Sequence, residues 1–166
     1  VINVSGTMTG LGASIVVAEA IQAMTSILPK FVEIDELQKR ASRVIGRLCN
    51  AEAGFLTASC SAAITVTVAG AMTGSDLFAV EQLPDTTGLR NEVVIMTGHM
   101  VSYGAPVEQS IRLAGAKVVA VGQSTRALAY QLAGAITDRT AAAVYVVSHH
   151  TVQYGLLTLN EFAAIC

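Results

Sequence analysis

The sequence predicts an α/β fold built on a mostly parallel sheet, and three observations carry that expectation. From residue 53 onward, apolar runs of strand length alternate with segments of helical periodicity. Turn residues separate them at the spacing that strand–helix–strand units require. The composition is 52% hydrophobic and only 13% charged, against roughly 25% charged in ordinary domains. Such a chain buries elements on both faces, or covers surface with an oligomer partner or with further chain.

In order, Val1-Ile2-Asn3-Val4 reads as a short extended arm entering the glycine-bearing loop Ser5 to Gly12. Ser14 to Leu28 reads as a helix stopped by Pro29. A second helix, Ile34 to Cys49, sets Ile34, Leu37, Ala41, Val44, Ile45 and Leu48 in one apolar stripe. Its charges, among them Asp35, Glu36, Arg40 and Arg43, fall on the other face and read as a solvated surface. Gly54 to Ala58 reads as a short strand, followed by a small-residue turn and the helix Ala62 to Met72. Asp76 to Arg90 reads as irregular, with turn signals at Pro84-Asp85 and Thr87-Gly88. Glu92 to Thr97 is a strand, Val107 to Ala114 a helix ended by Gly115, and Ala116 to Val121 the next strand. A serine-capped helix, Ser124 to Ile136, precedes the last strand, Thr140 to Val147. Thr158 and Glu161 then form a capping box that opens a helix at the chain's end.

Only about two turns follow that box, where average helices run to about three. The strand that alternation would place next does not follow, and the chain begins at Val1 without an initiator Met. The expectation is therefore an N-terminal or internal piece of a larger enzyme.

Bulk properties narrow the function classes. A net charge of −2 leaves no basic footprint for nucleic acid. The three cysteines, Cys49, Cys60 and Cys166, are odd in number and lack framework spacing, which points to reduced thiols and a cytoplasmic setting. The longest apolar stretch, Ser61 to Met72, is broken by threonines and too short to span a bilayer, and no signal peptide is visible.

Parallel sheets bind ligands beyond the carboxyl ends of their strands. Three polar turns fall there. In Ala58-Ser59-Cys60-Ser61-Ala62-Ala63, small residues and a helix N-terminus suit an anion; the plain alternative is N-capping by serine. In Thr97-Gly98-His99, the histidine can stack on a planar ring or move a proton; the alternative is a loop histidine bonded to backbone. In Ser148-His149-His150, adjacent histidines on an extended segment point to opposite sides, so one can face a ligand while the other packs or meets solvent. No metal site is expected: His149-His150 lacks the i, i+4 spacing of a helical zinc pair, and no acidic or cysteine ligand is near. Gly10-Leu11-Gly12-Ala13-Ser14-Ile15 lacks the third glycine of a dinucleotide loop. There is no Gly-Lys-Ser/Thr phosphate loop and no Gly-x-Ser-x-Gly nucleophile turn.

Several stretches together carry a family resemblance: Val1 to Gly6, Leu83-Pro84-Asp85-Thr86-Thr87-Gly88, Asn91-Glu92-Val93 to Gly98-His99, Arg112 to Lys117, and Ser148-His149-His150. In these the chain resembles the selenocysteine-synthase-like family of pyridoxal-phosphate (PLP) enzymes, and within it the D-glucosaminate-6-phosphate ammonia-lyase subgroup. The resemblance implies the PLP-dependent transferase-like (aminotransferase, type I) fold. Residues 1–33 would form an N-terminal arm and helix, and residues 34–166 the first, incomplete part of the PLP-binding large domain.

The resemblance also implies site roles. Cys60, Ser61 and Ala62 fall where the family's loop holds the cofactor phosphate through backbone amides and a hydroxyl. His99 follows the strand whose end supplies a residue packed near the PLP ring. His149 matches the position that approaches the cofactor's phenolic oxygen or the substrate, in preference to His150. The loop Thr7 to Gly12 either helps shape an active site, its own or a neighbouring subunit's, or is a structural glycine turn. The implied catalytic residues lie outside this chain. The family's Schiff-base lysine and pyridinium-pairing aspartate fall past residue 166, and Lys30, Lys39 and Lys117 do not match the lysine's position. The implied parent is a PLP lyase that removes an α-proton, expels a β-group and releases ammonia from an amino acid or amino-sugar acid, phosphorylated or not. It would be a homo-oligomer acting on a small-molecule amine, with no membrane and no nucleic-acid partner. The alternatives are selenium transfer on seryl-tRNA, for which Thr97-Gly98-His99 replaces an expected arginine-rich turn, and a non-catalytic assembly or anion-binding fragment.

Overall fold

The structure, a computed structural model, describes residues 2–152 and 154–166, so the Val1 end of the expected arm and Gln153 of the third turn lie outside the described residues. The chain divides into two compact units, one running to Leu56 and the other from Thr57 to Cys166.

The first unit holds helices α1 (Ala18–Ile27) and α2 (Ile34–Cys49). α2 matches its periodicity end to end, because Asp35 and Glu36 suit its first turn and Asn50, at φ 50°, closes it in the left-handed region. α1 starts four residues later than expected; Ala13 sits at φ 57° and Val17 is extended, so Ser14 does not begin the helix. The expected strand at Gly54 to Ala58 does not form. Among the described residues no strand pairs with it; instead the Gln38 side chain brackets Leu56, donating from Nε2 to its carbonyl at 2.9 Å and accepting its amide on Oε1 at 3.4 Å. A side chain thus satisfies backbone groups that a ladder would otherwise take.

The second unit is a three-layer α/β/α arrangement. Its strands β1 (Glu92–Met96), β2 (Lys117–Val121) and β3 (Thr140–Val144) form a wholly parallel sheet in the order β2-β1-β3. β1 is central and buried at every residue, which explains its unbroken apolar run. Alternation sorts its side chains: Val93 and Ile95 join the core with α3 (Cys60–Thr73) and α5 (Val107–Leu113). Val94 and Met96 join the opposite core with Leu132 of α6 (Ala129–Ala135) and Phe162 of α7 (Leu159–Ile165). Each fully buried aliphatic side chain here contributes roughly 1.5–3 kcal/mol.

Element boundaries depart from expectation for local reasons. α3 begins two residues before the expected Ala62, because Ser59 is the cap and its Oγ accepts the Ala62 amide at 3.1 Å. The segment from Asp76, expected to be irregular, contains the helix α4 (Leu77–Gln82), opened by Asp76 Oδ1 accepting from Phe78 N. α6 starts at Ala129, and Ser124 does not cap it: Gly122 at φ 72° and the Gln123–Arg126 bridge make a tight turn first. The Leu128 amide is taken instead by Gln131 Oε1 at 2.9 Å. β3 stops at Val144, three residues before the expected end, because β1 has already turned away after Met96. The capping box of α7 forms as expected, with Thr158 N donating to Glu161 Oε2 at 2.8 Å and Glu161 N to Thr158 Oγ1 at 3.3 Å. Among the described residues no helix is long and apolar enough to cross a membrane.

Candidate active site

Strand order fixes where a ligand crevice can open. The chain leaves β1 toward α5 on one face of the sheet and leaves β3 toward α7 on the other. Two adjacent parallel strands whose exits diverge in this way leave a gap beyond their carboxyl ends. The turns carrying His99 and His149 follow β1 and β3, so both candidate histidines belong to this end.

His99 closes a single 3-10 turn, Thr97–His99, and is only 2% exposed. Its Nδ1 accepts the Val146 amide at 3.1 Å. Its ring meets Tyr145 edge-on, centroids 4.4 Å apart at 88°. Burial holds its pKa below the ordinary 6.5, which favours the uncharged ring. With Nδ1 accepting, the proton of that neutral ring sits on Nε2. Thr97 fastens the same turn to the exit of β2, its hydroxyl lying 3.2 Å from the Val121 carbonyl and 3.1 Å from that of Gly122. Gly98 is required there, since a Cβ would come within 2.4 Å of the Ser124 carbonyl oxygen.

The third turn is not extended. The Ser148 carbonyl accepts from Thr151, from the amide at 3.3 Å and the hydroxyl at 2.8 Å, and this curls the segment. His149 and His150 consequently do not point to opposite sides: their rings lie together, centroids 3.9 Å apart at a 41° tilt. His150 is further tied to Ser148, Nδ1 to Oγ at 3.2 Å. His149 is exposed and lines a cleft of about 440 Å³ with Tyr145, Val146, Ser148, Thr151 and Leu159.

Cys60, Ser61 and Ala62 form the first turn of α3, Cys60 exposed and the other two half-buried. The Ala62 amide is already donated to Ser59, while among the described residues nothing accepts from the amides of Cys60 and Ser61. Two open amides and the helix dipole make this turn a fit for a phosphate. Further along α3 the Thr65 hydroxyl donates to the Ser110 carbonyl at 2.8 Å. That bond joins the second turn of α3 to the middle of α5, and α5 opens just after the chain leaves β1. The structure thus gathers His99 and the β3 exit directly, and ties α3 to the helix that follows β1.

Of the second unit's residues only Lys117 is a lysine. Lys117 opens β2 at the amino end of the sheet, paired in register with Glu92. Lys30 and Lys39 belong to the first unit. Among the described residues no group of three or more His, Cys, Asp or Glu side chains could hold a metal. The contributions of Tyr145 and Val146 were not legible in sequence, because both sit inside an apolar run that reads only as strand.

No family model matches the chain. It is 44% identical over 165 residues to D-glucosaminate-6-phosphate ammonia lyase of Salmonella typhimurium, covering 99% of this chain and 45% of that protein. It is 32% identical over 167 residues to the 5'-C-glycyluridine monooxygenase-decarboxylase of a Streptomyces species, covering 99% of this chain and 42% of that one. The solved structure of D-glucosaminate-6-phosphate ammonia-lyase superposes with a TM-score of 0.93 at 44% identity, over 96% of this chain and 43% of the other. The chain is a homologue of D-glucosaminate-6-phosphate ammonia lyase, and it spans less than half the length of the curated relatives it matches.

Proposed function

We propose that the chain is the cofactor-cradling part of a PLP-dependent lyase that releases ammonia from an amino acid or amino-sugar acid, on the large domain of an aminotransferase-type fold. The observation that carries this reading is the 44% identity to the ammonia lyase along 99% of the chain, joined to a TM-score of 0.93 with its solved structure. PLP, when bound, supplies an electron sink for bond breaking at the substrate's α-carbon.

In this reading the amides of Cys60 and Ser61, with the Ser61 hydroxyl, hold the phosphate, and Ala62 N–H stays with the Ser59 cap. His99 packs at the ring end of the cradle. His149, exposed on its cleft, meets the phenolic oxygen or the substrate. The covalent lysine and the carboxylate for the ring nitrogen are assigned to the length of the relatives that this chain does not span, since Lys117 opens β2 at the amino end of the sheet and Lys30 and Lys39 do not match the family's lysine. The chain by itself is therefore proposed to be inactive.

The exposed apolar side chains Ile21, Met24 and Leu28, with Phe31 beyond them, support assembly as a homo-oligomer. Three free, exposed cysteines suit a reducing cytoplasm. A second reaction class has one specific support: the Streptomyces relative carries a monooxygenase-decarboxylase name on the same stretch of sequence. Ammonia release from D-glucosaminate 6-phosphate by the complete gene product, with PLP, tests the proposal. Ammonia and a keto product in equal amounts support the lyase; oxygen uptake with carbon dioxide release from 5'-C-glycyluridine favours the second class.

A further inference from the structure

The last residue of β3 in register with β1 is Val144, opposite Ile95. Two residues on, the Val146 amide would need a carbonyl from a β1 that continued. β1 does not continue; it coils into the Thr97–His99 turn. We infer that His99 is a positioning residue, whose Nδ1 stands in for the missing β1 carbonyl and fixes the path by which β3 leaves the sheet toward His149. The placement is specific to this ring. Val146 N reaches Nδ1 at 3.1 Å, across 47 residues of sequence. The ring cannot swing away, because Tyr145 stands edge-on against it at 4.4 Å. Tyr145 is itself held, its hydroxyl donating to the Leu157 carbonyl at 3.2 Å and its ring meeting Phe162 of α7 at 5.3 Å. Val146 and Tyr145 both line the cleft that contains His149, so moving the His99 ring would move two of that cleft's walls. The consequence for chemistry rests on the function proposed above; the geometry does not require the cofactor.

The test uses the full chain without PLP, which separates it from any failure of cofactor binding. In 15N-histidine-labelled protein, His99 should show the neutral form with its proton on Nε2, and the Val146 amide should be protected from hydrogen exchange. His99→Asn places an oxygen acceptor close to the Nδ1 position and should keep that protection. His99→Leu should speed Val146 exchange by about tenfold or more, while amides in the middle of β1 keep theirs. A proton found on Nδ1 would overturn the inference, as would Val146 exchange unchanged in His99→Leu. Should His99→Leu fail to fold, the wild-type tautomer and the His99→Asn protection decide.

Discussion

The Thr65 hydroxyl donates to the Ser110 carbonyl at 2.8 Å and lies 3.1 Å from the carbonyl of Ser61, one turn back in its own helix. One side chain thus links the candidate phosphate turn to the helix that follows β1. Thr65→Val keeps the shape and removes the hydroxyl, and should lower stability by about 1 kcal/mol. Urea unfolding followed by circular dichroism would measure it.

Gly115 offers a stronger test of packing at the other end of the sheet. It sits at φ +87°, and a Cβ there would lie 2.2 Å from the Pro84 carbonyl oxygen. Gly115→Ala must both adopt a left-handed backbone and push back the Pro84 loop, which should cost more than about 2 kcal/mol. Gly70, with open space around its Cβ position in α3, is the control. Gly70→Ala should be neutral or stabilising by up to about 1 kcal/mol. Thermal midpoints of the two variants should move in opposite directions or differ widely.

The cap of α7 is predicted to be pH-sensitive. Hydrogen bonds from the Thr158 amide and hydroxyl hold the Glu161 carboxyl below its ordinary 4.5. A depressed carboxyl stabilises above its unfolded pKa and stops doing so as the pH falls through its folded one. Thr158→Ala should cost about 1 kcal/mol at neutral pH. The difference from wild type should shrink in acid, which amide exchange in α7 would follow.

His99 gives the opposite kind of titration. Burial lowers its pKa from 6.5, and the groups against the ring, the Tyr145 ring and the Val146 amide, supply no negative charge to offset that. The unfolded chain takes up this proton near its ordinary pKa while the folded chain resists it. Stability is therefore undiminished above about pH 6.5 and declines below it. Denaturation midpoints at pH 7.5 and 5.5 should show the decline, and His99→Asn should flatten it.

Much of the fold was legible because its signals are local. The stripe of α2, the apolar run of β1 and the Thr158–Glu161 box each specify their element within a few residues, and each forms where expected. What failed was decided at a distance. Gly54 to Ala58 has strand composition but, among the described residues, no partner strand, and Gln38, 18 residues before Leu56, takes both backbone groups of that residue. β3 ends early because β1 turns, an event in another segment. His149 and His150 share a side because Ser148 and Thr151 curl the chain, and a two-residue alternation rule cannot register that turn. The candidate site was legible as three turns at strand exits. The bond from Val146 to His99 was not, because nothing in either segment alone specifies it.

In the function proposed above, this sequence cradles PLP for a lysine supplied from outside it. The direct measurement is the absorbance of the complete gene product with PLP, before and after borohydride, alongside the 166-residue chain. The complete product should show a band at about 420 nm that borohydride abolishes, and the chain alone no such reducible band. A complete product with no band after added PLP would contradict the claim, and so would a borohydride-fixed cofactor on the 166-residue chain, which would place the lysine among Lys30, Lys39 and Lys117.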